Sequence, residues 1–96
     1  MSAAPRKQRY RLRLYIAGPG LYAARAQQNL ASFATAAGIE YELELVDVRR
    51  EPQRALEDAI VVTPTLIKLA PAPRAMVIGD LADISRVAGA LGVALR

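Results

Sequence analysis

The first half of the chain changes from an alternating pattern of hydrophobic and polar residues to a helical spacing, and then back again. Residues 10–17 alternate, which predicts a strand with four apolar side chains on one face: Tyr10, Leu12, Leu14 and Ile16. After a Gly-Pro-Gly turn at residues 18–20, apolar residues recur at helical spacing up to residue 37, and Gly38 can supply a left-handed cap. Residues 39–45 alternate again. This order predicts a right-handed βαβ unit with two parallel strands.

The second half of the chain predicts a short helix, two strands and a final helix. Pro52 suits the first turn of the short helix, and the apolar run at residues 65–69 predicts a strand. A proline-rich turn leads to an antiparallel partner strand at residues 75–80. Residues 81–91 then show helical spacing, with Asp80 as the predicted N-cap.

The complete order βαβαββα is that of a single thioredoxin-like α/β domain. At 96 residues the chain has room for one hydrophobic core but not for a second layered unit. We therefore predict one domain over residues 10–96, preceded by a flexible basic N-terminus at residues 1–9.

Two rows of opposite charge are predicted on the outward face of the parallel strands. Arg11 and Arg13 come from the first strand and face glutamates of the second: Glu40, Glu42 and Glu44. Such cross-strand pairs contribute about 0.2–1 kcal/mol each and help to set the register. The rows are interpreted first as structural, although a charged sheet face can also serve as a docking surface.

The composition excludes several classes of chemistry. The chain has no cysteine and no histidine, so it cannot form disulfides, thiolate or imidazole metal sites, or a Ser-His or Cys-His nucleophile. Its carboxylates do not repeat the spacing of a calcium loop. We predict no catalytic residue, cofactor or metal site, and a thioredoxin-type enzyme is disfavoured because thiol chemistry needs a thiolate.

The charge does not point to a nucleic acid, although the net charge is +4 and the pI is near 10.0. Apart from a cluster at the start of the chain, the basic residues are dispersed, and the signature of an RNA-binding sheet is missing. No apolar run approaches the roughly 20 residues that span a bilayer, and the first residues lack the apolar region of a signal peptide. The sequence predicts a soluble cytoplasmic protein without a nucleic-acid or membrane partner.

Three prolines fall within ten residues: Pro64, Pro71 and Pro73. Each bond preceding a proline can hold a cis isomer at low cost and exchanges over tens of seconds or longer, so the group could act as a slow conformational latch. Ordinary turn chemistry is the alternative, and the residues alone favour it.

Four stretches together resemble a known family. "LRLYIAG", "VDV", "TPTLIKLAPAP" and "IGDL" occur in this order between Tyr10 and Leu91, and they resemble the KaiB family of cyanobacterial clock proteins and their bacterial homologues. The resemblance implies a non-enzymatic protein that docks on the N-terminal ATPase ring of KaiC. There it displaces a histidine kinase whose sensor domain is similar to KaiB.

The resemblance also implies a change of fold. KaiB proteins rest as tetramers of order βαββααβ and refold to the thioredoxin-like order to bind KaiC, with prolyl isomerisation, which makes Pro64, Pro71 and Pro73 switch residues. This chain has Ala90 where the family has glycine. Because alanine is better than glycine inside a helix by about 1 kcal/mol, we expect the thioredoxin-like state to dominate.

Contact residues are implied by the same resemblance. Arg25 and Lys68 match basic positions of the family's binding surface, whereas Glu42 and Glu44 replace a small residue and a lysine. We predict a partner-binding face formed by five residues: Arg13, Arg25, Glu42, Glu44 and Lys68.

Two functions follow from these observations. The first is a KaiB-like interaction module, a homodimer or tetramer, that docks on a KaiC-type ATPase or a histidine-kinase signalling protein in rhythm or stress regulation. The alternative is a KaiB paralogue that has lost KaiC binding and acts as a homodimeric stress or signalling protein. The alternative draws on the altered contact positions, among them Ala75 and Met76 in place of two arginines.

Overall fold

A computed structural model describes residues 9–94 of the chain. It contains seven elements: β1 (Arg9–Ile16), α1 (Leu21–Ala37), β2 (Glu40–Asp47), α2 (Pro52–Glu57), β3 (Thr65–Ala70), β4 (Ala75–Ile78) and α3 (Ile84–Leu91). The predicted order βαβαββα is confirmed. Residues 1–8 of the predicted flexible N-terminus lie outside the described residues.

The four strands form one mixed sheet in the order β2-β1-β3-β4. β1 and β2 are parallel and in register from Arg9 opposite Glu40 to Ile16 opposite Asp47, as the βαβ pattern predicts. β3 is antiparallel to β1, and β4 is antiparallel to β3. β2 and β4 are therefore the edges of the sheet, and β1 and β3 lie in its centre.

The main hydrophobic core lies between the sheet and the helices α1 and α3. The alternating apolar residues of β1 pack there against residues of both helices: Ala26, Leu30, Phe33, Val87 and Leu91. The hydroxyl of Tyr10 donates a hydrogen bond to the carbonyl of Leu91 at 2.9 Å, which ties β1 to the end of α3. Among residues 9–94, no helix is both long and apolar enough to cross a membrane.

A smaller cluster lies on the opposite face of the sheet, under α2. Its buried members come from three strands and the helix: Tyr15, Val46, Ile67 and Ala55. Ala55 of α2 packs there with Tyr15 and Val46 near the carboxyl ends of β1 and β2, and with Ile67 of β3. The other half of this face carries exposed charged residues: Arg9, Arg11, Glu40 and Glu42.

The last helix starts later than the sequence pattern indicates. Leu81 is buried with a left-handed φ of 68°, so the chain cannot continue from it as a helix. α3 instead begins at Ile84, and the carboxylate of Asp83 caps it by accepting the N–H of Arg86 at 3.1 Å. Asp80 is therefore not the N-cap. Ala90 lies within α3, as the helical pattern predicts.

Candidate functional site

The three prolines of the predicted switch all follow cis peptide bonds, at Thr63–Pro64, Ala70–Pro71 and Ala72–Pro73. Pro64 is buried immediately before β3, and its carbonyl accepts the N–H of Gly79 at 2.9 Å. This hydrogen bond fixes the loop against the end of β4. A switching role of these prolines stays a prediction.

An exposed group of large apolar side chains surrounds Pro64. We call it the Pro64 patch and define it by five residues: Leu21, Tyr22, Val61, Val62 and Ile78. Leu21 and Tyr22 line a cavity of about 200 Å³ together with Thr63 and Pro64. Val61 and Val62 precede that dipeptide, and Ile78 lies opposite Thr65 in the sheet. A group of large exposed apolar side chains near one loop is typical of an interaction site.

Val61 and Val62 are presented by a well-anchored segment. The N–H of Ile60 donates to the carbonyl of Ala55 at 2.8 Å, and the side chain of Ile60 packs on the cluster under α2. The two valines that follow turn outward, and Val61 is 89% exposed. Their exposure follows from the path of the chain, since their neighbours on both sides are held.

An ion pair between Asp47 and Arg49 lies beneath the loop that leads to Leu21 and Tyr22. The carboxylate of Asp47 accepts the backbone N–H of Arg49 at 2.9 Å and binds its guanidinium at 3.2 Å, which lowers the pKa of Asp47. The guanidinium in turn lies against Gly18, where a Cβ atom would overlap with it. Gly18 has a φ of 72°, a left-handed backbone conformation that favours glycine there.

A network of ion pairs lies on the α2 side of the sheet and is centred on Asp58. This carboxylate accepts hydrogen bonds from Arg13 at 2.9 Å, from Arg74 at 2.7 Å and from the hydroxyl of Tyr15. Its side chain is only 11% exposed. We call these four residues the Asp58 cluster. It joins the end of α2 to β1 and to the turn between β3 and β4.

Glu44 extends the network to the edge strand. Its carboxylate lies 2.8 Å from Arg13 Nε and 2.7 Å from Arg54 Nη1, and hydrogen bonds from Arg54 and Arg13 lower its pKa to about 2. Burial raises the pKa of Asp58, but hydrogen bonds from Tyr15, Arg74 and Arg13 outweigh it, and the pKa falls to about 2. Burial and the bond to Asp58 raise the pKa of Tyr15 to about 12.

Acid is expected to remove stability between about pH 4 and pH 2. In the unfolded chain the carboxyl groups of Glu44 and Asp58 have pKa values near 4, whereas both are about 2 in the folded protein. Because the folded values are lower, the stabilisation is complete above about pH 4 and is lost as the pH falls through 2. Urea unfolding across this range should give a steeper loss for the wild type than for Glu44→Gln. Superimposable profiles would contradict the assignment.

The predicted contact residues do not form one surface. Arg13 and Glu44 belong to the ion-pair network, and Glu42 is exposed on the same side of the sheet. Arg25 lies on the exposed side of α1. Lys68 is opposite Leu12 in the sheet and only 4% exposed, so its side chain lies largely among core residues. The role of each in partner binding stays a prediction.

The Pro64 patch was not predicted from the sequence. A signal was available in α1, because Leu21 and Tyr22 stand outside the stripe of apolar residues that pack on the sheet. Large apolar side chains that fall off the buried stripe need another role. In the part of the chain that the structure describes, no group of acidic residues could hold a metal ion.

Comparison with known families identifies the group to which the chain belongs. The sequence model of the KaiB domain matches residues 13–93. The chain belongs to the KaiB family. It is 42% identical over 80 residues to the circadian clock protein KaiB3 of Synechocystis sp., covering 79% of this chain and 76% of the relative. The circadian clock oscillator protein KaiB of a Synechococcus species is also 42% identical, over 85 residues, with 88% of this chain and 76% of the relative covered.

Solved structures place this KaiB-family chain among thioredoxin-like folds. The N-terminal domain of SasA from Synechococcus elongatus superposes with a TM-score of 0.73 at 25% identity, covering 96% of this chain and 91% of that domain. Mitochondrial thioredoxin 3 of Saccharomyces cerevisiae superposes with a TM-score of 0.66 at 16% identity, covering 90% and 80%. The second likeness concerns the fold alone. The predicted thioredoxin-like class is confirmed.

Proposed function

We propose that this KaiB-family protein is a non-enzymatic interaction module that docks through the Pro64 patch on a KaiC-type ATPase or a related signalling partner, in rhythm or stress regulation. The observation that carries the proposal is the group of five exposed apolar side chains around a buried proline. A chain without cysteine or histidine has no thiol or imidazole to use at this position. The surface is therefore suited to binding rather than to catalysis.

The patch can supply enough free energy for recognition. Complete burial of one large apolar side chain contributes about 1.5–3 kcal/mol. Because the patch residues are already partly covered, burying the rest of each side chain contributes about 1 kcal/mol. Five such residues give about 5 kcal/mol before the cost of association is subtracted. Polar contacts around the patch must supply the rest, and Arg25 lies one helical turn from Leu21 and Tyr22.

The relatives of the chain support a KaiC-type ATPase or a related signalling protein as the partner. The matched relatives are named as circadian clock proteins, and the superposed SasA domain comes from a cyanobacterium. Glu42 favours a second candidate, a homodimeric paralogue that has lost KaiC binding. Its exposed carboxylate stands where the family resemblance implies a small residue, and Glu44 stands where it implies a lysine. An added or reversed charge can exclude a former partner.

Mixing the protein with the KaiC-type ATPase of the same genome, held with ATP, tests the first candidate against the second. Size-exclusion chromatography with light scattering reports both the complex and the state of the free protein. A ring-sized complex is expected if the module docks on the ATPase. Elution as a separate small dimer after a day of incubation would contradict this and favour the homodimeric paralogue.

A further inference from the structure

We infer that the Pro64 patch receives an acidic protein segment, in which carboxylates flank an apolar anchor and pair with Arg25 and Arg50. The inference rests on the proposed docking at the patch, and it adds the chemistry of the partner. Three observations carry it: the pairing of charges in the cleft that contains Arg50, the continuity of two clefts, and the apolar character of the patch.

The two carboxylates that line the cleft beneath the loop before α1 are already engaged. Asp47 is paired with Arg49 at 3.2 Å, and Glu51 is paired with Arg54 at 3.3 Å. Arg25 and Arg50 are exposed, and neither forms an ion pair with any residue that the structure describes. Of the described charged residues that line this cleft, Arg50 alone is left without an ion pair, so the unpaired charge there is positive.

The patch and Arg50 belong to one continuous surface. The cavity of about 200 Å³ beside Pro64 and a second cleft of about 550 Å³ share four residues from the end of β1, the loop and the start of α1: Ile16, Pro19, Gly20 and Ala23. The second cleft is also lined by Arg49, Arg50 and Leu45, and Leu45 is itself exposed. A segment that lies across the loop can thus contact the apolar patch and reach Arg50.

Arg25 lies beside the patch residues Leu21 and Tyr22 on α1. It follows Leu21 by four residues and Tyr22 by three, so its side chain lies on the same face of α1 as theirs. The first turn of α1 contains no acidic residue, which leaves the positive end of the helix dipole uncompensated by the side chains of that turn. An incoming carboxylate gains from both arginines and from this dipole.

The apolar surface of the patch favours a protein segment over a nucleic acid. Five large apolar side chains offer nothing to a phosphate backbone. An acidic amphipathic peptide matches both the apolar and the basic parts. Binding of an oligonucleotide is the competing outcome of the test below.

Three short amphipathic peptides of equal length test the inference on the full chain. Each carries leucine and phenylalanine anchors, flanked by glutamates in the first, by glutamines in the second and by lysines in the third. We expect the glutamate peptide to bind at least about tenfold more tightly than the lysine peptide, and to shift the NMR amide signals of Tyr22, Arg50 and Val61. Affinity should fall between about 0.05 M and about 0.5 M salt.

The double variant Arg25→Glu, Arg50→Glu should lose this preference, while the matched control Arg86→Glu, an exposed arginine of α3, should retain it. Equal binding of the glutamate and lysine peptides, binding of neither, shifts confined to other surfaces, or tighter binding of an oligonucleotide would each overturn the inference. If the ATPase binds at the patch with no dependence on salt, the inference fails and the proposed function stands. If the glutamate peptide binds but the ATPase does not, the reverse holds.

Discussion

Replacing Asp58 by asparagine is expected to lower the free energy of unfolding by about 3 kcal/mol, because it removes the charge at the centre of a largely buried network. Arg13, Tyr15 and Arg74 all donate to this carboxylate. Asparagine keeps the shape but accepts fewer hydrogen bonds and carries no charge. The guanidinium of Arg13, only 21% exposed, would keep Glu44 as its sole carboxylate among the described residues.

The neighbouring variant Glu57→Gln is the matched control. Glu57 is exposed and pairs with no residue that the structure describes, yet its replacement makes the same change of charge one residue away. Urea and thermal unfolding should show a midpoint lower by on the order of 15 °C for Asp58→Asn and little change for Glu57→Gln. Equal losses in the two variants would show that the network does not stabilise the fold.

Replacing Tyr22 and Val61 together by serine is expected to weaken partner binding by about 100-fold. The two side chains are 65% and 89% exposed. Tyr22 lines the cavity beside Pro64, and Val61 lies two residues before Thr63, which lines it as well. Each anchor in a desolvated interface contributes on the order of 1–2 kcal/mol, which gives a factor of this size for the pair. Serine adds no charge, so the result reports on apolar contact alone.

Ile84→Ser provides the control for this loss. Ile84 is 57% exposed and lies at the start of α3, beside a different cleft between α1 and α3. Its truncation should leave affinity within about twofold of the wild type, and circular dichroism should show all variants folded. A loss for Ile84→Ser as large as that of the double variant would place the interface on α3 instead.

A short segment of the chain connects the Asp58 cluster to the Pro64 patch. Asp58 stands three residues before Val61, and the intervening Ile60 is anchored to α2 and to the cluster beneath it. The Asp58 cluster therefore holds the segment that presents one side of the Pro64 patch. A protein that lost the cluster would also be expected to bind its partner less well.

The alternating pattern of the strands predicted the structural features that depend on local periodicity. Alternation along β1 and β2 fixes which side chains share a face, and the pairing of Arg13 with Glu44 follows from the parallel register. The element order followed in the same way, because changes of period mark changes of structure.

Contacts between distant parts of the chain could not be read from the pattern. Asp58 is 45 residues from Arg13 and 16 from Arg74, and nothing in its local sequence marks it as their shared acceptor. The late start of α3 depends on the left-handed Leu81, whose side chain turns into the core. The family resemblance puts Lys68 on a contact surface, whereas its position in the central strand β3 buries most of its side chain.

Amide hydrogen exchange of the full chain, alone and with the KaiC-type ATPase held with ATP, tests most directly the claim that the Pro64 patch is the docking surface. If the patch is the docking surface, the partner slows amide exchange at residues 18–25 and at the non-proline positions of 60–64, with little change in α3. Protection confined to β2 and α3, with the patch exchanging as it does in the free protein, would contradict it.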